Sequence, residues 1–102
     1  MKLNVLERIM LMQILPNEGN YITFKMLTEL KLALTFSEAE YKDYGITEEN
    51  KQITWKKDGQ KEVEIGEKMT EVIKTALKKI DEDNKVNAQL FSLFEKFQPE
   101  VK

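Results

Sequence analysis

Residues 66–84 leave the chain the least choice of structure. Met69, Val72, Ile73, Ala76, Leu77 and Ile80 recur at i, i+3, i+4, i+7, i+8 and i+11, the apolar stripe of an amphipathic helix. Lys68, Glu71, Lys74, Thr75, Lys78 and Lys79 fill the other side and face water. Such a stripe is stable only against a partner surface, which the remaining residues must supply. At 102 residues the expectation is one domain spanning residues 1–102, with a single modest core.

The other elements follow from local signals. Asn4 and Glu7 have the spacing of a capping box, opening a helix that reads Val5, Leu6, Ile9, Met10, Leu11, Met12, Ile14, Leu15. Only Glu7, Arg8 and Gln13 break its apolar ring, so this helix is either buried centrally or shared between subunits. Pro16 ends it, and residues 16–20 are turn material. Tyr21 and Ile22 read as a short extended lead-in, with Thr23 as the cap of a second helix. Its stripe is Met26, Leu27, Leu30, Ala33 and Leu34, and Phe24 and Leu32 lie off that stripe as a second contact surface. A third helix carries a capping box at Ser37 and Glu40, a Phe36–Tyr41 staple, and Gly45 as a left-handed stop followed by Ile46.

Ile53 and Trp55, then Val63 and Ile65, alternate with polar residues and predict a hairpin. Parity selects a three-residue loop, Lys57-Asp58-Gly59, pairing Ile53 with Val63 and placing Gly59 at a left-handed bulge. A last helix starts at Asn87, with Val86 and Phe91 as a staple and Leu90, Leu93, Phe94 and Phe97 as its stripe. Pro99 ends it, and residues 100–102 are expected to fray. The fold class is therefore α+β and mostly helical: about five helices, with one β-hairpin between the third and fourth.

Composition excludes several chemistries. There is no cysteine and no histidine, which removes disulfides, zinc bound by nitrogen or sulfur, and Ser–His or Cys–His catalysis. Carboxylates remain, but no loop is spaced for Mg²⁺ or Ca²⁺, and no hydroxyl has a base to activate it. Neither a cofactor nor catalysis is expected. The apolar run over residues 3–15 is interrupted by Glu7, Arg8 and Gln13, lacks a cleavage site, and is far short of a membrane span. A cytoplasmic location is the expectation.

Helix-helix-helix-hairpin order raises the alternative of a winged-helix-like DNA-binding regulator. Lys51, Lys56, Lys57 and Lys61 against Asp58 give residues 51–61 a charge of +3. Residues 37–50, which would have to enter the groove, carry −4, from Glu38, Glu40, Asp43, Glu48 and Glu49 against Lys42. Phosphates repel such a segment, and Arg8 is the only arginine among 16 basic residues, so nucleic acid is disfavoured. Trp55, Lys56, Lys57 and Lys61 are the candidate interaction residues. Their bland readings are a core tryptophan and a solvated tip that discourages edge pairing. Asp81, Glu82 and Asp83 read as a solvated run; at the end of the 66–84 helix they slightly oppose its dipole, a small cost that nothing local explains.

Residues 15–25 (LPNEGNYITFK), Leu34-Thr35-Phe36-Ser37-Glu38, Ile53-Thr54-Trp55 and Glu64-Ile65-Gly66-Glu67-Lys68 resemble small uncharacterised proteins encoded by bacteriophages and prophages. The likeness spans most of residues 3–97. It carries no catalytic motif and no site residues, and implies a phage or mobile-element origin in a bacterial cytoplasm. The expected function is non-catalytic binding: a homo-oligomer, with a host protein (as a defence antagonist) or a small nucleotide-like ligand as partner. The alternatives are the DNA-binding regulator and a small virion or assembly component.

Overall fold

Helix α1, Val5–Ile14, runs through the middle of the computed structural model, and the other three long helices pack on it: α2 (Tyr21–Leu34), α4 (Glu67–Glu82) and α5 (Ala88–Phe97). The short α3 (Glu38–Tyr44) follows α2. Four short strands lie among the described residues: β1 (Lys2–Leu3), β2 (Thr47–Glu49), β3 (Gln52–Thr54) and β4 (Lys61–Glu62). The structure describes residues 1–50 and 52–99, so the expectation for residues 100–102 lies outside the described residues. The fold is α+β and mostly helical, with five helices among the described residues and a hairpin between α3 and α4.

The nearly all-round apolar surface of α1 is used inside the monomer. Val5, Ile9, Leu11 and Leu15 are buried, while Met10, Met12 and Ile14 pack partly buried against the core. The two charged residues expected to break the ring are buried as well, Glu7 at 1% and Arg8 at 0% exposure. The capping box forms as read: Glu7 N–H donates to the Asn4 side chain (2.8 Å) and Asn4 N–H to Glu7 Oε1 (2.9 Å).

Helix α2 starts three residues earlier than expected. Asn20, not Thr23, is the cap, accepting from the Thr23 N–H at 2.8 Å. Tyr21 and Ile22 therefore lie in the first helical turn, at 80% and 69% exposure, rather than in an extended lead-in. Asn is a more favourable cap than Thr, so the helix begins at the first of the two. The α3 signals all appear: the Ser37–Glu40 box, an edge-to-face Phe36–Tyr41 pair at 6.1 Å, and Gly45 at φ +61°. The Ile46 N–H closes the helix end on the Tyr41 carbonyl at 3.1 Å. Asn87 caps α5, whose Leu90, Leu93 and Phe97 are buried, while Val86 and Phe91 stay exposed.

The hairpin differs in strands and register. β2 pairs with β3, Thr47 with Thr54, Glu48 with Ile53 and Glu49 with Gln52, through a turn in which Asn50 takes φ +50°. β4 pairs instead with β1, Lys2 with Glu62 and Leu3 with Lys61. Ile53 and Val63 thus belong to different sheets. The segment expected to form the loop is held elsewhere: the Lys56 and Lys57 N–H groups donate to the Tyr44 carbonyl (2.8 and 3.1 Å), and Asp58 accepts from the Val5 N–H (3.1 Å). The free edge of β1 then captures β4, with the Met1 ammonium donating to Glu62 (2.7 Å) and the Val63 carbonyl (3.0 Å).

Gly59 is needed for space, not for a left-handed bulge: a Cβ there would overlap the Tyr44 ring. Gly59→Ala should therefore destabilise by about 1–3 kcal/mol, read as a lowered urea midpoint. Tyr44→Ala in the same chain should remove most of that penalty.

Candidate interaction surface

The four residues singled out from sequence are not brought together as one basic tip. Trp55 is half-buried and lines a concavity of about 340 Å³ with Leu6, Ile9 and Met10 of α1 and with Gln13, Gln52 and Gln89. Lys56 and Lys57 are exposed, their backbone fixed to the end of α3. Lys61 is half-buried, and its Nζ donates to the Ala33 carbonyl at 2.9 Å. It is a cation placed at the C-terminal end of α2, where the helix dipole favours it. The acidic α3 is seven residues long, and its Glu40 is tied to Arg8.

Sequence reasoning missed two buried ionic groups. Arg8 uses every branch of its guanidinium: Nη1 to Glu40 Oε2 (2.6 Å), Nη2 to the Thr35 carbonyl (2.6 Å) and Nε to the Leu34 carbonyl (3.2 Å). Its face lies 4.0 Å from the Phe36 ring centroid. One side chain thereby joins α1, the last carbonyls of α2 and the start of α3. The Arg8 hydrogen bond holds the Glu40 carboxyl down to about 2. Glu7 accepts from Lys96 Nζ (2.7 Å), the Asn4 N–H and the Ser92 hydroxyl. Burial pushes this carboxyl up, but those hydrogen bonds outweigh it and keep it below the ordinary range. The signal was present in the sequence: a Glu-Arg pair inside an otherwise apolar helix marks positions that tertiary partners must satisfy.

These charges are committed to holding the fold. Among the described residues, every buried side-chain nitrogen or oxygen has a hydrogen-bond partner, and no three acidic side chains are grouped to hold a metal ion. No described helix is long and apolar enough to cross a membrane.

What remains uncommitted is apolar. The α4 stripe is wider than the core can cover: Met69, Ile73 and Leu77 are buried, but Val72, Ala76 and Ile80 are only half so. With Ile14 and Pro16 from the end of α1 they wall an open groove of about 740 Å³. Pro16 is held there by Lys31, whose Nζ donates to the Pro16 carbonyl (3.3 Å) and the Asn17 side chain (2.9 Å). Lys68, Glu71, Lys79, Asp83 and Lys85 line the same groove, and Lys68 also borders the exposed Tyr21 and Ile22. A smaller depression of about 250 Å³ on α2 includes Phe24 and Leu32, at 46% and 67% exposure, the two residues that lay off the α2 stripe.

Comparison of the chain with protein-family models, with curated proteins and with solved structures returns no match.

Proposed function

We propose that the protein is a non-catalytic binding protein that works through protein–protein contact at the groove between the end of α1 and α4. The observation carrying this reading is the apolar-walled groove of about 740 Å³ lying next to Tyr21 and Ile22, which are 80% and 69% exposed. Contiguous exposed apolar surface of this kind marks interaction sites. The resemblance to small phage and prophage proteins supplies a setting, a bacterial cytoplasm in which the partner is a second copy or a host protein.

Other readings have less support. A winged-helix regulator needs a basic wing beside a basic reader helix, whereas Lys61 caps α2 and α3 is acidic. A nucleotide-like ligand needs a cation for its phosphate. The Trp55 concavity is lined by glutamines, Thr54 and apolar side chains, with no cation among the described residues that line it, and in the larger groove the lysines alternate with Glu71 and Asp83 instead of forming a cationic cluster.

A photo-crosslinking residue at Gln13, exposed and lining the groove, tests the proposal in bacterial cells producing the full chain. Gln13 also borders the Trp55 concavity, so exposed Gln89, which lines that concavity and not the groove, is the control beside exposed Glu48. Gln13 should give a covalent protein adduct and the other two positions should not; no adduct from Gln13, or equal adducts from Gln13 and either control, overturns the reading.

A further inference from the structure

We infer that the occupant of the groove is a second copy of this chain, packed with its α4 antiparallel to the first. The inference rests on the groove being a protein-binding surface and adds the partner and its orientation. Along the groove face of α4, from the N-terminus to the C-cap, the charges are Lys68, Glu71, Lys79 and Asp83, alternating in sign, with Lys85 lining the groove two residues beyond the cap. That series is antisymmetric about its midpoint between Thr75 and Ala76. A two-fold axis there brings Lys68 level with Asp83 of the second copy, and Glu71 level with Lys79, so that each charge meets its opposite. A parallel pairing would set each charge beside its own copy. The midpoint carries two small residues, which let the helices approach closely, with Val72 and Ile80 on either side as apolar contact. Tyr21 and Ile22, beyond Lys68, extend the contact toward the far end of the second copy's α4. Such a surface is self-complementary, as a two-fold dimer requires.

The same arrangement accounts for a feature left unexplained by local physics. Lys68 lies in the first turn of α4 and Asp83 at its C-cap, and both have the wrong sign for the dipole of their own helix. In the antiparallel pair each sits at the opposite end of the neighbouring helix, where its sign is favourable.

Sedimentation equilibrium on the full chain at low salt tests this. The wild type should show a reversible monomer–dimer equilibrium. Lys68→Glu and Asp83→Lys should each weaken it roughly tenfold, since each turns two attractive pairs per dimer into repulsive ones. The double variant should return to within about threefold of wild type, because its charges are again opposite. Both reversals favour the helix dipole, so the folded monomer is retained, and thermal melts should show no loss. Thr75→Arg, at an exposed position on the midpoint, should abolish the dimer by blocking the approach. A wild type that stays monomeric up to about 1 mM, or a double variant that does not recover, overturns the inference. A Gln13 adduct consisting only of another protein overturns the dimer while leaving the groove as a binding surface. No adduct at all removes both.

Discussion

Arg8→Leu should lower the unfolding free energy by about 3–5 kcal/mol, the range for removing one partner of a buried ion pair. Arg8 is wholly buried and its carboxylate partner Glu40 is 18% exposed. The substitution leaves that carboxylate without its counter-charge and the Leu34 and Thr35 carbonyls without donors. It also removes the cation stacked on Phe36. An Arg8→Leu, Glu40→Leu double variant should be more stable than the two single losses added together, with a coupling of about 0.5–3 kcal/mol. Urea midpoints of the four proteins measure both quantities. A loss under about 1 kcal/mol for Arg8→Leu, the scale of an exposed pair, would contradict the role given to this side chain.

Acid should loosen the same joint. The Glu40 carboxyl is held at about 2, well below its ordinary value of 4.5. A depressed carboxyl contributes stability that is fully present above its unfolded value and is lost as the pH falls through the folded one. Wild type should therefore exceed Glu40→Gln in stability near neutral pH. The difference should shrink as the pH drops from about 4.5 toward about 2. Glu7→Gln should behave with the same sign, since the Glu7 carboxyl is also lowered. Urea midpoints taken as a function of pH test this. A gap between wild type and Glu40→Gln that stays constant down to about 2 would show that the Glu40 charge is not what stabilises the joint.

Legibility in the sequence followed the range of each interaction. Caps and stripes act over three to eleven residues, and the Asn4, Ser37 and Asn87 caps, the Gly45 stop and the stripes of α4 and α5 were all readable. Strand pairing was not. β2 is exposed along its whole length, so no alternation of burial marks it. β4 is taken by β1 from the other end of the chain, a contact that no local pattern encodes. The alternation at Ile53–Trp55 and Val63–Ile65 was real but served different neighbours. Ile53 and Trp55 border the concavity on α1, while Val63 enters the core.

The candidate site was half legible. The groove-facing residues Val72, Ala76 and Ile80 were in the predicted stripe. Their exposure depends on how far α1 and α4 diverge at Ile14 and Pro16, which is a tertiary matter. Phe24 and Leu32 were visible as off-stripe residues because a helix has only one face for its own core. Tyr21 and Ile22 were obscured because Asn20 was read as turn material and Thr23 as the cap. The lysines at 56, 57 and 61 looked like one patch only while the wrong hairpin joined them.

The proposed interface is the α1–α4 groove, rather than the Trp55 region or α3. Amide chemical shifts followed over increasing concentration of the full chain locate it. Progressive shifts are expected at Val72, Thr75, Ala76 and Lys79 and at Tyr21 and Ile22, with Glu48 and Glu49 unmoved. Shifts centred instead on Trp55 to Lys57 or on residues 38–44, with α4 silent, would contradict it.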